Sequence, residues 1–254
     1  MENETLKDVA RALFGSETIV IWSTDWCVKP FSSEGHFSWH QDSTYSHFGE
    51  EAITIWIAFS DLDGDICGPV AFKKGSHILG QMPHVEKKQS KEANGGTQDD
   101  NNMLAFGQTI PDRFDAEMLA MLKEFEQKSL STQQMSWMTT FQTSVACPLK
   151  FGMASAHSFL TIHSSQANRH PNRDRVGLAI RLVNCETNSG KTQQRPDRVT
   201  LLCGNSGDVK MFGELEPRPM EEFGEQEMKE WQLSIQKENE FYFKSSLNVK
   251  EYTH

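Results

Sequence analysis

Two residues carry the first chemical signal in this sequence: His40 and Asp42, in the run Trp39-His40-Gln41-Asp42-Ser43-Thr44-Tyr45. In an extended strand, positions two apart project from the same face. One imidazole nitrogen and one carboxylate oxygen can then reach a single metal ion. A second histidine from a distant strand completes a two-histidine, one-carboxylate facial set, which suits iron(II) and leaves three coordination positions open. The bare His-x-Asp pair is weak by itself, because nine histidines in 254 residues produce such pairs by chance.

A downstream stretch gives the pair its context. It reads His157-Ser-Phe-Leu-Thr-Ile-His163-Ser-Ser165-Gln-Ala-Asn168, then Arg173-Asp-Arg175-Val-Gly-Leu-Ala-Ile-Arg181. A histidine ends an apolar strand over 158–163, and an arginine opens the next strand, 176–183, after a turn rich in Asn and Pro. His157 stands six residues before His163, on the same strand face by parity, and competes with it for the ligand role. An arginine beside a metal can clamp a carboxylate with its planar fork, and Arg173, Arg175 and Arg181 are at hand. Such a metal and clamp suit 2-oxoglutarate, whose 2-oxo acid end chelates iron while its far carboxylate takes a cation.

The elements that must position these groups read mostly as β. Strands are expected over 18–30, over the β-branched and aromatic run 52–59, from Gly68 to Phe72, and over 199–203. Asp61-Leu-Asp-Gly-Asp65 supplies turn chemistry between them. Short strands with few long helices between them favour a β-sandwich or barrel. Helical patterns are peripheral. Asp115 caps one in which Met118, Leu122 and Phe125 recur, and Met228, Trp231 and Ile235 make a packing stripe near the C-terminus. The polar stretch 86–102 reads as a surface loop.

Composition excludes several classes. With 25 Lys and Arg against 35 Asp and Glu, the net charge is −10, which opposes phosphate backbones and anionic membranes as partners. No apolar run approaches the length of a membrane span, and the acidic, polar start is not a secretory signal. Five scattered cysteines without a CxxC pair (Cys27, Cys67, Cys147, Cys185, Cys203) argue for reduced thiols in a cytoplasmic protein rather than disulfides or structural zinc.

In three blocks the sequence resembles the phytanoyl-CoA dioxygenase family of Fe(II)/2-oxoglutarate-dependent oxygenases. They are Lys29-Pro30 leading to Trp39-His-Gln-Asp42 with Tyr45; Thr54-Ile-Trp56-Ile-Ala with Gly68-Pro69 and Gly75-Ser-His77; and His163-Ser-Ser-Gln-Ala-Asn168 with Arg175-Val-Gly-Leu-Ala-Ile-Arg181. Asn101-Asn-Met-Leu-Ala-Phe-Gly-Gln108 looks like a fourth. The resemblance implies a double-stranded β-helix, a cupin-like jelly roll with peripheral helices. It implies that His40, Asp42 and His163 bind iron, that Arg175 holds the distal carboxylate of 2-oxoglutarate, that Trp56 lines the co-substrate pocket and that Ser165 adds a hydrogen bond. Fe(II), 2-oxoglutarate and O2, with ascorbate in support, are the cofactors expected, and a small organic molecule is the substrate. Asp42 favours a hydroxylase, since halogenating relatives replace this carboxylate with a small residue.

One oxygenase domain is expected over 1–254, with its core at about 18–205 and a helical or loop extension at 206–254. The family's N-terminal segment, with a lysine that contacts 2-oxoglutarate, has no evident counterpart, so a truncated and inactive jelly-roll binding protein is the competing reading. Arg175 follows His163 by twelve residues, one more than the family spacing, and Cys67 stands where an Asn is usual. Lys29, Gln41 and Tyr45 are placed at the substrate mouth. His157 is expected to pack behind the ligands, and His36, His47, His77, His84, His170 and His254 to be ordinary loop or tail residues.

Overall fold

The computed structural model describes residues 3–46, 48–82, 84–86, 101–104, 108–110, 144–186, 195–216 and 224–247. The expected helix after Asp115, His47 and most of the 86–102 loop lie outside the described residues. Twelve strands and three α-helices make up the described chain. It divides into two compact units, one built from residues 1–24, 51–53 and 180–254, the other from 25–50 and 54–179. Three strands, β1 (Ile19–Lys29), β3 (Ala52–Ala58) and β10 (Arg175–Asn184), contribute residues to both.

The first unit opens with α1 (Glu4–Phe14). Asn3 caps its start by accepting from the Leu6 amide at 3.0 Å, and Gly15 closes it with φ +61°. The start of β1 pairs antiparallel with β11 (Arg195–Cys203), placing Val20 against Leu201. β11 in turn runs parallel to β12 (Phe212–Leu215). The last helix, α3 (Glu225–Leu247), carries the expected C-terminal stripe. That stripe does not pack: Met228, Trp231 and Ile235 are 42%, 51% and 37% exposed. Glu230, Leu233, Ser234 and Lys237 instead border a cleft of about 450 Å³ with Arg195 and Arg198 of β11.

The second unit holds the candidate site residues His40, Asp42, His163 and Arg175. One sheet has the order β2-β9-β4-β7, from β2 (Phe37–His40), β9 (His163–Ser165), β4 (Val70–Phe72) and β7 (Val145–Cys147). β3 runs between β10 and β8 (Ala154–Ser158) in the other. Trp56 and Ala58 of β3, Ala179 of β10, Val70 of β4, and Leu62, Cys67 and Leu149 form its core. β5 (Val85–Glu86) and β6 (Gln108–Thr109) add a small antiparallel pair. Packed sheets of short strands fit the β-sandwich or barrel that the sequence pattern favours, in the form of the double-stranded β-helix, or jelly roll, that the family resemblance implies.

Two strand expectations are corrected. Residues 158–163 are not one strand: β8 ends at Ser158, a turn closed by Thr161 donating to the Ser158 carbonyl follows, and His163 starts β9. Phe159 and Ile162 are fully buried within that turn, so the apolar run marks a buried corner. The His40–Asp42 segment is also not all strand, because β2 stops at His40 and α2 (Ser43–Ser46) begins just past Asp42. The cysteines of the described residues are all free thiols. Among the described residues, no helix is long and apolar enough to cross a membrane.

Candidate active site

β2 and β9 pair antiparallel with His40 directly opposite His163. Cross-strand partners project from the same side, and the two ring centroids are 4.2 Å apart. The register slips between Phe37 and His40: three steps along β2 match the two from Ser165 back to His163. One extra residue on one strand is a β-bulge, and it keeps Phe37 and His40 on one side despite their odd spacing. Phe72, opposite His163 on β4, packs its ring 5.0 Å from that of His157.

Both imidazoles are oriented by the same device. His40 Nδ1 lies 2.7 Å from the Ser38 carbonyl, and His163 Nδ1 lies 2.9 Å from the Thr161 carbonyl. A carbonyl only accepts, so Nδ1 carries the proton in each ring and Nε2 presents its lone pair. Burial, helped by the neighbouring His163, pulls the His40 pKa down to about 3, so the ring stays neutral, as a metal ligand must be.

Asp42 reaches the pair from the turn after β2. Its Oδ1 lies 3.8 Å from His40 Nε2 and 3.8 Å from His163 Nε2. These gaps are too long for hydrogen bonds but can be bridged by one ion with bonds of about 2.1 Å. One donor atom from each residue falls within 4.8 Å of the others, and all three residues are buried. Asp42 Oδ2 faces elsewhere. Thr54 Oγ1 of β3 donates to it at 2.5 Å, and His157 Nε2 of β8 lies 3.8 Å away. His157 thus stands behind the carboxylate, although from a different strand than parity implied.

Arg175 opens β10 and is 2% exposed. Its guanidinium lies 4.5 Å over the Trp56 ring, so Trp56 is its platform. Gly177 allows this, because a Cβ there would fall 1.9 Å from Trp56 Cζ2. Arg175 Nε and Nη1 are buried without a hydrogen-bond partner, an arrangement that costs stability unless an acceptor arrives. Burial lowers its pKa to about 10, which leaves it cationic at neutral pH. The other two arginines are engaged elsewhere: Arg173 donates to Asp63 at 3.2 Å, and Arg181 to Ser23 at 3.2 Å.

Lys29 and Gln41 lie deeper than the mouth positions expected for them. Lys29 is fully buried and donates to the Ser165 and Gln166 carbonyls. Gln41 is an internal strut: its Nε2 donates to the Gly80 and Leu160 carbonyls, and its Oε1 accepts from the Met82 amide. His84 is no ordinary loop residue either, since its Nε2 accepts from the Gln41 amide and burial pulls its pKa down to about 4. The Tyr45 side chain lies outside the described residues. Asn168 ties the end of β1 to the approach to β10 by donating to the Lys29, Pro30 and Arg173 carbonyls. Thr54 is the site residue that sequence reasoning missed, because an isolated hydroxyl in an apolar strand gives no signal.

Two imidazoles and a carboxylate are a donor set for iron(II), and the partnerless guanidinium is a receptor for a carboxylate. The residues therefore fit iron and 2-oxoglutarate. Comparison with known proteins agrees in fold. The non-heme monooxygenase ThoJ in its apo form is 19% identical, with 96% of this chain and 74% of that chain covered and a TM-score of 0.65. A ThoJ–Ni complex is 17% identical, with coverage of 92% and 70% and a TM-score of 0.57. No curated protein matches the sequence. The family model described as phytanoyl-CoA dioxygenase matches residues 1–176. The chain therefore belongs to the phytanoyl-CoA dioxygenase family of Fe(II)/2-oxoglutarate-dependent oxygenases.

Proposed function

We propose that this protein is a dioxygenase that hydroxylates an unactivated C–H bond of a small organic molecule while converting 2-oxoglutarate to succinate and CO2. The observation that carries the reading is the buried Arg175 guanidinium, two of whose nitrogens await an acceptor. A purely structural metal site has no use for such a cation. His40 Nε2, Asp42 Oδ1 and His163 Nε2 are the iron ligands. Arg175 and Ser165 hold the distal carboxylate of 2-oxoglutarate, and Trp56 carries the guanidinium.

Iron, 2-oxoglutarate and O2 supply the oxidising chemistry when bound, with ascorbate supporting the reduced metal. The protein's own residues do the rest. The Ser38 and Thr161 carbonyls aim both imidazoles and hold a proton on each Nδ1, which leaves Nε2 to face the metal. Thr54 occupies one oxygen of Asp42 and leaves the other for the metal. Burial of all three ligands keeps bulk water from the reacting centre. The carboxylate at Asp42 fills the position that halogenation needs vacant, which favours hydroxylation. A net charge of −10 favours a small molecule over nucleic acid or an anionic membrane.

The test is succinate formation from 2-oxoglutarate with Fe(II), ascorbate and O2, first without added substrate. Slow succinate release that disappears in His40→Ala and in Arg175→Ala is the expected result. Absence of both succinate and Fe(II)-dependent 2-oxoglutarate binding in the unmodified protein would overturn the reading.

A further inference from the structure

Lys29 sits at the end of β1 with three oxygen neighbours around its Nζ. They are the Ser165 carbonyl at 2.9 Å, the Gln166 carbonyl at 2.6 Å and Ser165 Oγ at 2.7 Å. The carbonyls only accept, so Nζ donates to both whether the amine is charged or neutral. The hydroxyl differs: it accepts from an ammonium but donates to the lone pair of a neutral amine. The proton on Lys29 therefore decides where the Ser165 hydroxyl hydrogen points.

Burial is the main influence on this amine, with the Arg175 charge second, and together they bring its pKa to about 6. At neutral pH, without an anion nearby, the neutral form prevails and the Ser165 hydroxyl is tied to Nζ. The facing groups are few. Arg175 from β10 disfavours the ammonium, and Cys27 from β1 favours it. β2 presents the Phe37 ring, 5.1 Å from Nζ, and β9 presents Ser165. Arg175 meanwhile holds two buried nitrogens without partners.

We propose that Lys29 is a proton-coupled positioning residue for the distal carboxylate of 2-oxoglutarate. When the carboxylate settles against Arg175, the Lys29 amine takes one proton from solvent and donates to Ser165 Oγ. The freed Ser165 hydroxyl hydrogen then turns to the carboxylate. One N–H bond forms at Nζ, and a proton leaves the bulk solution. The incoming negative charge raises the proton affinity of the amine, and the protonated amine adds a donor to the site. This mechanism rests on the co-substrate reading above.

The experiment is calorimetric titration of Mn(II)-loaded protein with 2-oxoglutarate at about pH 7.5 in phosphate and in Tris, whose ionisation heats differ. Close to one proton should be taken up per 2-oxoglutarate bound. By linkage, Kd should weaken by close to tenfold per pH unit from about pH 7 to about pH 9. Lys29→Met should lose both effects, and Lys29→Arg, which stays cationic, should bind with a flat pH profile. A binding-competent wild type with no proton uptake overturns the proposal, as does a Lys29→Met protein that keeps it. Should the substituted proteins fail to fold, the wild-type pH series decides alone, and a flat profile overturns the idea. A protein that holds Mn(II) but binds no 2-oxoglutarate at any pH overturns the co-substrate reading instead, which separates the two failures.

Discussion

The Thr54 hydroxyl donates to Asp42 Oδ2 at 2.5 Å, while Asp42 Oδ1 lies 3.8 Å from the Nε2 atoms of both His40 and His163. One carboxylate thus has its two oxygens assigned to two tasks. The hydroxyl holds Oδ2 and fixes the rotation that turns Oδ1 to the histidines, so a metal is met by one oxygen.

Thr54→Val keeps the shape of the side chain and removes that donor. Metal affinity is expected to fall by about 10-fold to 100-fold, the usual effect of removing a group that orients a ligand. A Co(II) titration followed by absorbance measures it, and an unchanged circular dichroism spectrum confirms that the fold is intact. Unchanged affinity would mean that Asp42 needs no support from β3.

Arg175→Met should separate stability from activity. The arginine is buried with two unsatisfied nitrogens, so an apolar residue of similar length should stabilise the ligand-free protein by about 1–3 kcal/mol. The same change should abolish succinate formation. Urea denaturation and the succinate assay read the two effects, and a loss of stability would show that the guanidinium has support not seen here.

Gly177→Ala should drive Trp56 out of place, because the new Cβ would fall 1.9 Å from the indole. Overpacking of this kind costs about 1–3 kcal/mol. Since the indole carries Arg175, the KM for 2-oxoglutarate should rise as well. Adding Trp56→Phe should restore part of the stability but not the KM. Full recovery of both would argue that the indole is core and nothing more.

The metal-free protein should grow more stable as the solution becomes alkaline. His40 and His84, with pKa values near 3 and 4 when folded, bind protons more readily when unfolded. Stability is therefore lost as pH falls below about 6.5. Lys29, at about 6 when folded, acts in the same direction between about pH 6 and 10.5. Each such group changes stability by about 1.4 kcal/mol per pH unit within its window. Cys185, raised to about 12 by burial, opposes them above about pH 9. Urea midpoints across pH 5 to 10 should rise to about pH 9 and level off beyond it, and a maximum near pH 6 would show that these groups titrate normally when folded.

The sequence made the candidate site residues legible because they differ chemically from their neighbours. His40, Asp42, His163 and Arg175 stand out in runs of apolar and small residues. What brings them together was harder to read. The Phe159–Ile162 corner looks like strand because burial, not hydrogen-bond pattern, selects its residues. Lys29 looks like a surface residue because a fully buried lysine is rare, and only the carbonyls of Ser165 and Gln166 make its position tolerable. Thr54 was invisible because its role depends on the facing turn rather than on its own strand.

The bulge between Phe37 and His40 makes the facing of this histidine tolerant of one change in length. Three steps along β2 now match two along β9. Losing one residue between Phe37 and His40 would leave two steps on each strand, so a regular ladder would still set Phe37 against Ser165 and His40 against His163. Flattening the bulge at its present length would instead turn His40 to the opposite side of the sheet. A lineage could therefore shorten this strand by one residue and keep its candidate ligands facing one another, whereas a substitution that straightened the strand would separate them with every one still present in the gene.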